Sequence, residues 1–111
     1  MVCPGRDVWW AVVPFGDEAG FWRIPAKDLK QAVRVSSTPA DYCSTGSDGQ
    51  LTAALFLNRI ELWSNSDGQL AGTYRFPARQ GDAVGISRHP PMVIAGFAKG
   101  DIMAWPLRVG K

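Results

Sequence analysis

Three tryptophans recur at nearly equal spacing, and this repeat constrains the fold more than any other feature of the sequence. Trp22, Trp63 and Trp105 are separated by 41 and 42 residues. Each lies in a short β-prone run that follows a turn. A period of this length indicates that the chain repeats one supersecondary unit.

An all-β repeat of about 40–45 residues is typical of β-propeller blades, each of which is a four-stranded antiparallel sheet. We therefore predict one all-β domain over residues 1–111, a partial β-propeller of two to three blades. The predicted blades span approximately 8–36, 40–76 and 82–107. A hydrophobic content of 46% with 20% charged residues agrees with a packed domain.

The middle unit has the most complete strand pattern, because turn signals such as Asp67-Gly68 separate four candidate strands. In the first unit Pro4 and Gly5 predict an irregular lead-in over residues 1–7, so that only three strands are expected there. The third unit also shows three. The predicted strands are 8–14, 21–25 and 31–36, then 41–45, 51–56, 59–64 and 70–76, and then 83–87, 92–97 and 101–106.

Two segments resemble the third strand of WD repeats: Arg59-Ile60-Glu61-Leu62-Trp63-Ser64 and Gly100-Asp101-Ile102-Met103-Ala104-Trp105-Pro106. In that family a turn precedes an apolar alternation that ends in tryptophan. The resemblance covers about residues 8 to 107 and implies a propeller that serves as a binding scaffold. A divergent bacterial-type or quinoprotein-like propeller is the alternative.

The predicted number of blades is too small for a closed ring, since propellers usually close with about four to eight blades. The open ends would expose apolar faces and an unpaired edge beside Ile102 and Ala104. WD propellers usually complete the last blade with a strand from the N-terminus. We therefore expect the C-terminal part of a propeller whose remainder is another polypeptide, a second copy of the chain, or missing. Self-association is expected to give a dimer or trimer.

Charge argues against a nucleic-acid partner. The net charge is +2, and the 12 lysines and arginines are dispersed along the chain. No apolar run reaches the roughly 18–20 residues that span a bilayer, and no basic-then-apolar leader begins the sequence. These observations predict a soluble, cytoplasmic protein without a membrane partner.

The cysteines and the histidine do not predict a metal or catalytic site. Cys3 and Cys43 are expected to be free thiols, with one disulfide as the alternative, because the sequence lacks the cysteine density of disulfide-rich secreted domains. A zinc site would have to combine both cysteines with His89 and a distant carboxylate. His89 has no nucleophile at a recognisable spacing and is expected to lie in a surface turn. We expect no cofactor.

The aspartates and tryptophans also allow two interpretations. Asp48, Asp67 and Asp101 could ligate calcium, but each lies beside glycine, which favours capping of turn amides. The five tryptophans could be sugar-stacking platforms, although core packing between blades is favoured. These are Trp9, Trp10, Trp22, Trp63 and Trp105.

Together these features predict a non-enzymatic binding or assembly module that mediates protein–protein interaction. A lectin assembled by oligomerisation is the first alternative, and a fragment of a larger propeller enzyme is the second.

Overall fold

Three antiparallel β-sheets follow one another along the chain. The structure is a computed structural model that describes residues 1–46 and 49–108. Sheet 1 contains β1 (Val2–Gly5), β2 (Val8–Val13), β3 (Gly20–Pro25) and β4 (Val33–Ser36). Sheet 2 contains β5 (Tyr42–Thr45), β6 (Leu51–Leu55), β7 (Arg59–Ser64) and β8 (Leu70–Arg75). Sheet 3 contains β9 (Gly81–Arg88), β10 (Pro91–Phe97) and β11 (Ile102–Pro106).

Each sheet is a meander in which consecutive strands pair. Tight turns make this possible, and the turn between β7 and β8 ends on Gly68 at φ +71°, a conformation that suits glycine. A short 3-10 helix, Leu29–Gln31, precedes β4 and is capped by the Asp28 carboxylate. The predicted all-β class is confirmed, as are the strands predicted in sheets 2 and 3.

The predicted irregular lead-in at residues 1–7 is wrong, because most of it forms β1. This strand pairs only with β2, and a strand with one neighbour tolerates Pro4, which cannot donate to a second partner. Its pattern alternates, with Cys3 buried between exposed Val2 and exposed Pro4. Sheet 1 therefore has four strands, one more than the sequence pattern suggested.

Sheet 2 lies between the other two sheets, and one apolar cluster fills each of the two gaps. Trp10 and Phe21 of sheet 1 pack in the first cluster, where their rings stack at 5.2 Å. Leu62 of sheet 2 and Val93 of sheet 3 pack in the second cluster. Because both of its faces are covered, β6 is buried at all five positions.

Sheets 1 and 2 share an irregularity that supports the internal repeat. The pairing of the third strand with the fourth shifts between Phe21 and Trp22 in sheet 1. It shifts between Leu62 and Trp63 in sheet 2. A bulge that directly precedes the repeated tryptophan in both sheets indicates that these hairpins are built on the same local plan.

The expectation of free thiols is wrong, because Cys3 and Cys43 form a disulfide. Cys3 lies on β1 and Cys43 on β5, the first strands of sheets 1 and 2, and these strands pack side by side. Their Cα atoms are 6.3 Å apart, within the range that a disulfide spans. The bond therefore joins two neighbouring sheets, and the pairing of the sheets brings the cysteines together.

Across the described ranges, no helix has the length and apolarity needed to cross a membrane.

Candidate functional site

The outer face of sheet 1, turned away from sheet 2, is apolar and uncovered by any described residue. Trp9 of β2 is 44% exposed on this face, and Trp22 of β3 is half-buried beside it. Strand pairing places Trp22 opposite Ala11 and Trp9 opposite Ile24. We call this surface the N-terminal face; its residues are Val2, Pro4, Trp9, Ala11, Val13, Trp22, Ile24 and Arg34.

The outer face of sheet 3 is the matching surface at the other end of the stack. Ile102 is 74% exposed there and Ile94 is 38% exposed. We call this surface the C-terminal face; its nine residues are Ala83, Gly85, Ser87, Met92, Ile94, Gly96, Ile102, Ala104 and Pro106. None of these nine carries a charge, and none is buried. An uncharged surface of this kind is unusual for a solvated sheet face.

Two positions of sheet 2 that correspond to exposed residues of the C-terminal face are buried. Ile60 and Ile102 each lie three residues before the repeated tryptophan of their sheet. Ile60 is 0% exposed because sheet 3 covers it, whereas Ile102 has no covering sheet among the described residues. Ala104 likewise corresponds to Leu62, which is buried. The sequence thus keeps apolar residues at positions that are buried in sheet 2, where sheet 3 follows.

The repeated tryptophans lie on the third strands, β3, β7 and β11, of the three sheets. Trp63 packs toward sheet 1, with its ring centroid 5.9 Å from that of Trp10. Trp105 packs toward sheet 2, with its ring centroid 5.9 Å from that of Phe76. Each of these indoles therefore contacts the sheet that precedes its own. Trp22 lies on the N-terminal face, where no described sheet precedes it.

Ile102 and Ala104 were predicted to lie beside an unpaired edge. On one side β11 pairs with β10, with Ala104 opposite Ile94 and Ile102 opposite Gly96. On its other side β11 has no strand neighbour within the described ranges. Beyond β11 the chain runs beside sheet 2, where the Arg108 amide donates to the Tyr74 hydroxyl at 2.8 Å. The edge of sheet 3 and its outer face are thus exposed together.

A buried polar network that the sequence analysis missed joins sheets 1 and 2. The Asn65 carbonyl oxygen accepts from the Trp10 indole N–H at 2.7 Å and from the Thr52 hydroxyl at 2.8 Å. Its amide nitrogen donates to the Gly49 carbonyl at 2.7 Å. The Arg23 guanidinium donates to the Asn65 backbone carbonyl at 3.0 Å. Asn65 is only 3% exposed, so these bonds fix the first interface between sheets in a single geometry.

A cleft of about 780 Å³ opens beside this network, at the end of the stack that carries the turns between β1 and β2 and between β7 and β8. Arginines and carboxylates both line it, among them Arg6, Arg23, Asp7 and Asp67. The Gln69 amide and the Ser64 hydroxyl donate to Asp67, which lowers the pKa of that carboxyl below its ordinary value of 3.8. With Arg88, the described lining of the cleft holds three arginines and two aspartates, so charges of both signs face it.

The other candidate residues separate from one another in the structure. His89 is exposed in the turn between β9 and β10. Asp67 caps its turn by accepting from the Gln69 amide at 3.0 Å, as predicted, whereas Asp101 forms an ion pair with Arg79. Asp48 lies outside the described residues. Within the part of the chain that is described, no group of three or more histidine, cysteine or carboxylate side chains could hold a metal ion.

No protein-family model matches this chain, and a search of curated proteins finds no significant match.

Proposed function

We propose that this chain is a non-enzymatic assembly module whose outer sheets are completed by a β-sheet of another polypeptide. The observation that carries the proposal is the contrast between the second strands of the sheets. β6 is buried at every position, whereas β2 and β10 each expose an apolar side through Trp9 and Ile94. Side chains suited to burial on both faces thus occur in all three sheets, but within the described ranges only sheet 2 is covered on both faces.

The energetics favour covering these faces. Burying apolar surface contributes about 25 cal/mol per Å² and about 1.5–3 kcal/mol for each large aliphatic side chain. Ile94 and Ile102 on one face, with Trp9 and Trp22 on the other, supply this area without requiring a buried carboxylate. Association costs entropy, and the burial of several such side chains together is needed to exceed that cost. Both faces carry such a set.

The architecture of the assembly follows from the stacking already present. Three sheets placed in series with short connections, each with tryptophan on its third strand, support a propeller-like arrangement of the WD-repeat type. In this proposal the three sheets are blades of one partial propeller, and the partner is a protein that supplies the blades needed for closure. Nucleic acid and membrane partners are not part of the proposal.

The disulfide supports a proposal for the cellular compartment of this chain. Such bonds persist in oxidising environments and are rare in the cytosol. The Cys3–Cys43 bond therefore favours an oxidising compartment over the cytoplasmic placement expected from the sequence.

Sedimentation velocity across a micromolar concentration series, combined with binding of a dye that fluoresces on apolar surface, tests the proposal. We expect either association of the pure chain or, if it is a monomer, strong dye binding at open faces. Leu57→Lys should leave both association and dye binding unchanged, since Leu57 is 56% exposed in the turn between β6 and β7 and lies on neither face. A monomer that binds no dye would contradict the proposal.

A lectin remains the second candidate, because Trp9 and Trp22 lie on neighbouring strands of one exposed face. Aromatic rings in such a position can stack on the apolar faces of sugars. A glycan array on the isolated chain, repeated with Trp9→Ala, tests it. Saturable sugar binding that is lost in the variant supports the lectin, and the absence of binding removes it.

A further inference from the structure

We propose that the partner is a second copy of this chain, with the N-terminal face of one copy seated on the C-terminal face of the other. The inference rests on the proposed assembly function and specifies its partner and its geometry. Both contacts between sheets within the chain have this same direction: the face of one sheet that bears Trp63 or Trp105 meets the opposite face of the preceding sheet. The two exposed faces are the remaining members of that series. A copy placed before sheet 1 would therefore give Trp22 the type of contact that the other two indoles already make.

The shapes of the two faces support head-to-tail seating. The N-terminal face presents two large side chains, Trp9 and Trp22, on neighbouring strands. The C-terminal face presents small residues around Ile94, which pairs with Gly85 and with Ala104. A Cβ atom added at Gly85 or at Gly96 would meet no atom within 4 Å, so no described side chain occupies the space above these two positions. The open space above these small residues leaves room for the two large rings of the other face.

The charges also permit this contact. The C-terminal face carries no charged residue, and the N-terminal face carries only Arg34. The Arg34 guanidinium donates to the carbonyls of Asp17 and Ala19, both at 3.1 Å, and lies 5.8 Å from the centre of the Trp22 ring. Burial beneath a second copy would therefore not leave this cation without partners. Contact between two N-terminal faces would instead bring two Arg34 side chains together, which is less favourable.

Closure selects a dimer. A head-to-tail contact makes a closed ring only if the rotation between copies completes a full turn, and it makes an open filament otherwise. Two copies supply six sheets, a number within the range of about four to eight at which propellers close. In such a ring each N-terminal face meets the partner's C-terminal face, so both exposed surfaces are covered at once.

Mixing of two single-face variants tests the direction of contact. Trp9→Lys changes only the N-terminal face, Gly85→Lys changes only the C-terminal face, and Leu57→Lys is the control. We expect a dimer for the parent and for the control. Each face variant alone should dissociate at least tenfold more readily, because every contact it makes contains one altered face. An equimolar mixture of the two face variants should form heterodimers through the one intact pair of faces, and these should be weaker than the parent dimer because both faces of the second pair are altered.

The outcomes separate this inference from the function on which it rests. If Trp9→Lys alone still dimerises as the parent does, contact between like faces replaces the head-to-tail contact, and the inference is wrong. A parent chain that stays monomeric but binds the apolar dye strongly refutes the second copy and leaves another protein as the partner. A monomer that binds no dye refutes both proposals. Ile102→Lys repeats the test on the C-terminal face at a side chain that is already 74% exposed, so its effect does not depend on the fold tolerating a change at Gly85.

Discussion

Replacing Asn65 with leucine should destabilise the chain more than the same exchange at the exposed turn residue Asn58. Leucine has nearly the same volume but cannot accept from the fully buried Trp10 indole or donate to the Gly49 carbonyl. An unsatisfied buried donor costs about 1–3 kcal/mol, so losing both partners should lower the free energy of unfolding by about 2–4 kcal/mol. Thr52 is less affected, since its hydroxyl also bonds to that of Thr45 at 3.0 Å.

Thermal unfolding followed by circular dichroism measures this effect. For a domain of this size about 1 kcal/mol shifts the Tm by roughly 4–8 °C, so Asn65→Leu should lower the Tm by about 8 °C or more. Asn58→Leu is the matched control, because the Asn58 side chain is exposed and bonds only to its neighbour Arg59 in the described network. If the two variants melt within about 2 °C of each other, Asn65 does not hold the first interface between sheets.

A double-mutant cycle assigns the cost to the indole. Trp10→Phe removes the donor, so Asn65→Leu should cost less in that background than in the parent. A coupling free energy of about 1 kcal/mol or more is expected for two side chains in one buried network. Additive effects would show that the two side chains do not interact.

Three further predictions follow from the disulfide, the turn and the repeated tryptophans. Replacing both Cys3 and Cys43 with serine should cost about 4 kcal/mol by the loop-entropy relation for a separation of 40 residues, measured by urea unfolding against the oxidised parent. Because the pKa of Asp67 is lowered in the folded chain, its carboxylate stabilises the fold above pH about 4. This stabilisation is lost as the pH falls through the folded-state pKa. The stability of Asp67→Asn should therefore change less between pH 7 and pH 3 than that of the parent. Trp63→Ala should cost about 3 kcal/mol or more in the dilute chain, and Trp22→Ala clearly less, because only the first indole packs against another sheet; equal Tm shifts would contradict this difference.

Local sequence signals were sufficient for most strands. Asp67-Gly68 and the alternation through Ile60 and Leu62 predicted β7, its turn and β8, because turn chemistry and a period of two residues act over a few positions. They failed for β1. Pro4 and Gly5 usually interrupt a strand, but β1 pairs with a single neighbour, and that depends on where the edge of the sheet falls.

The cross-sheet features could not be predicted from local patterns. Asn65 lies just before the Asp67-Gly68 turn signal, and nothing in that local pattern shows that it bonds to a residue 55 positions earlier. The cysteines were expected to be free because the sequence contains only two, and composition does not show that β1 and β5 pack side by side. Both features depend on how whole sheets pack. The periodic tryptophans were the only sequence signal of that packing, and they indicate the repeat without indicating its partners.

Ile60 and Ile102 provide a direct comparison between a position that this chain buries and one that it leaves open. Ile60→Ala should cost about 2–5 kcal/mol at any protein concentration, because sheet 3 covers Ile60 within the chain.

Ile102→Ala should change the stability of the dilute chain by only about 0.5 kcal/mol or less, since the side chain is 74% exposed. At high concentration the parent should gain stability by association, and the variant should gain less, so a difference in Tm should appear only there. Differential scanning fluorimetry over a hundredfold range of concentration measures both effects. A concentration-independent loss in Ile102→Ala would mean that the chain buries this side chain within its own fold, and the C-terminal face would then not be an assembly surface.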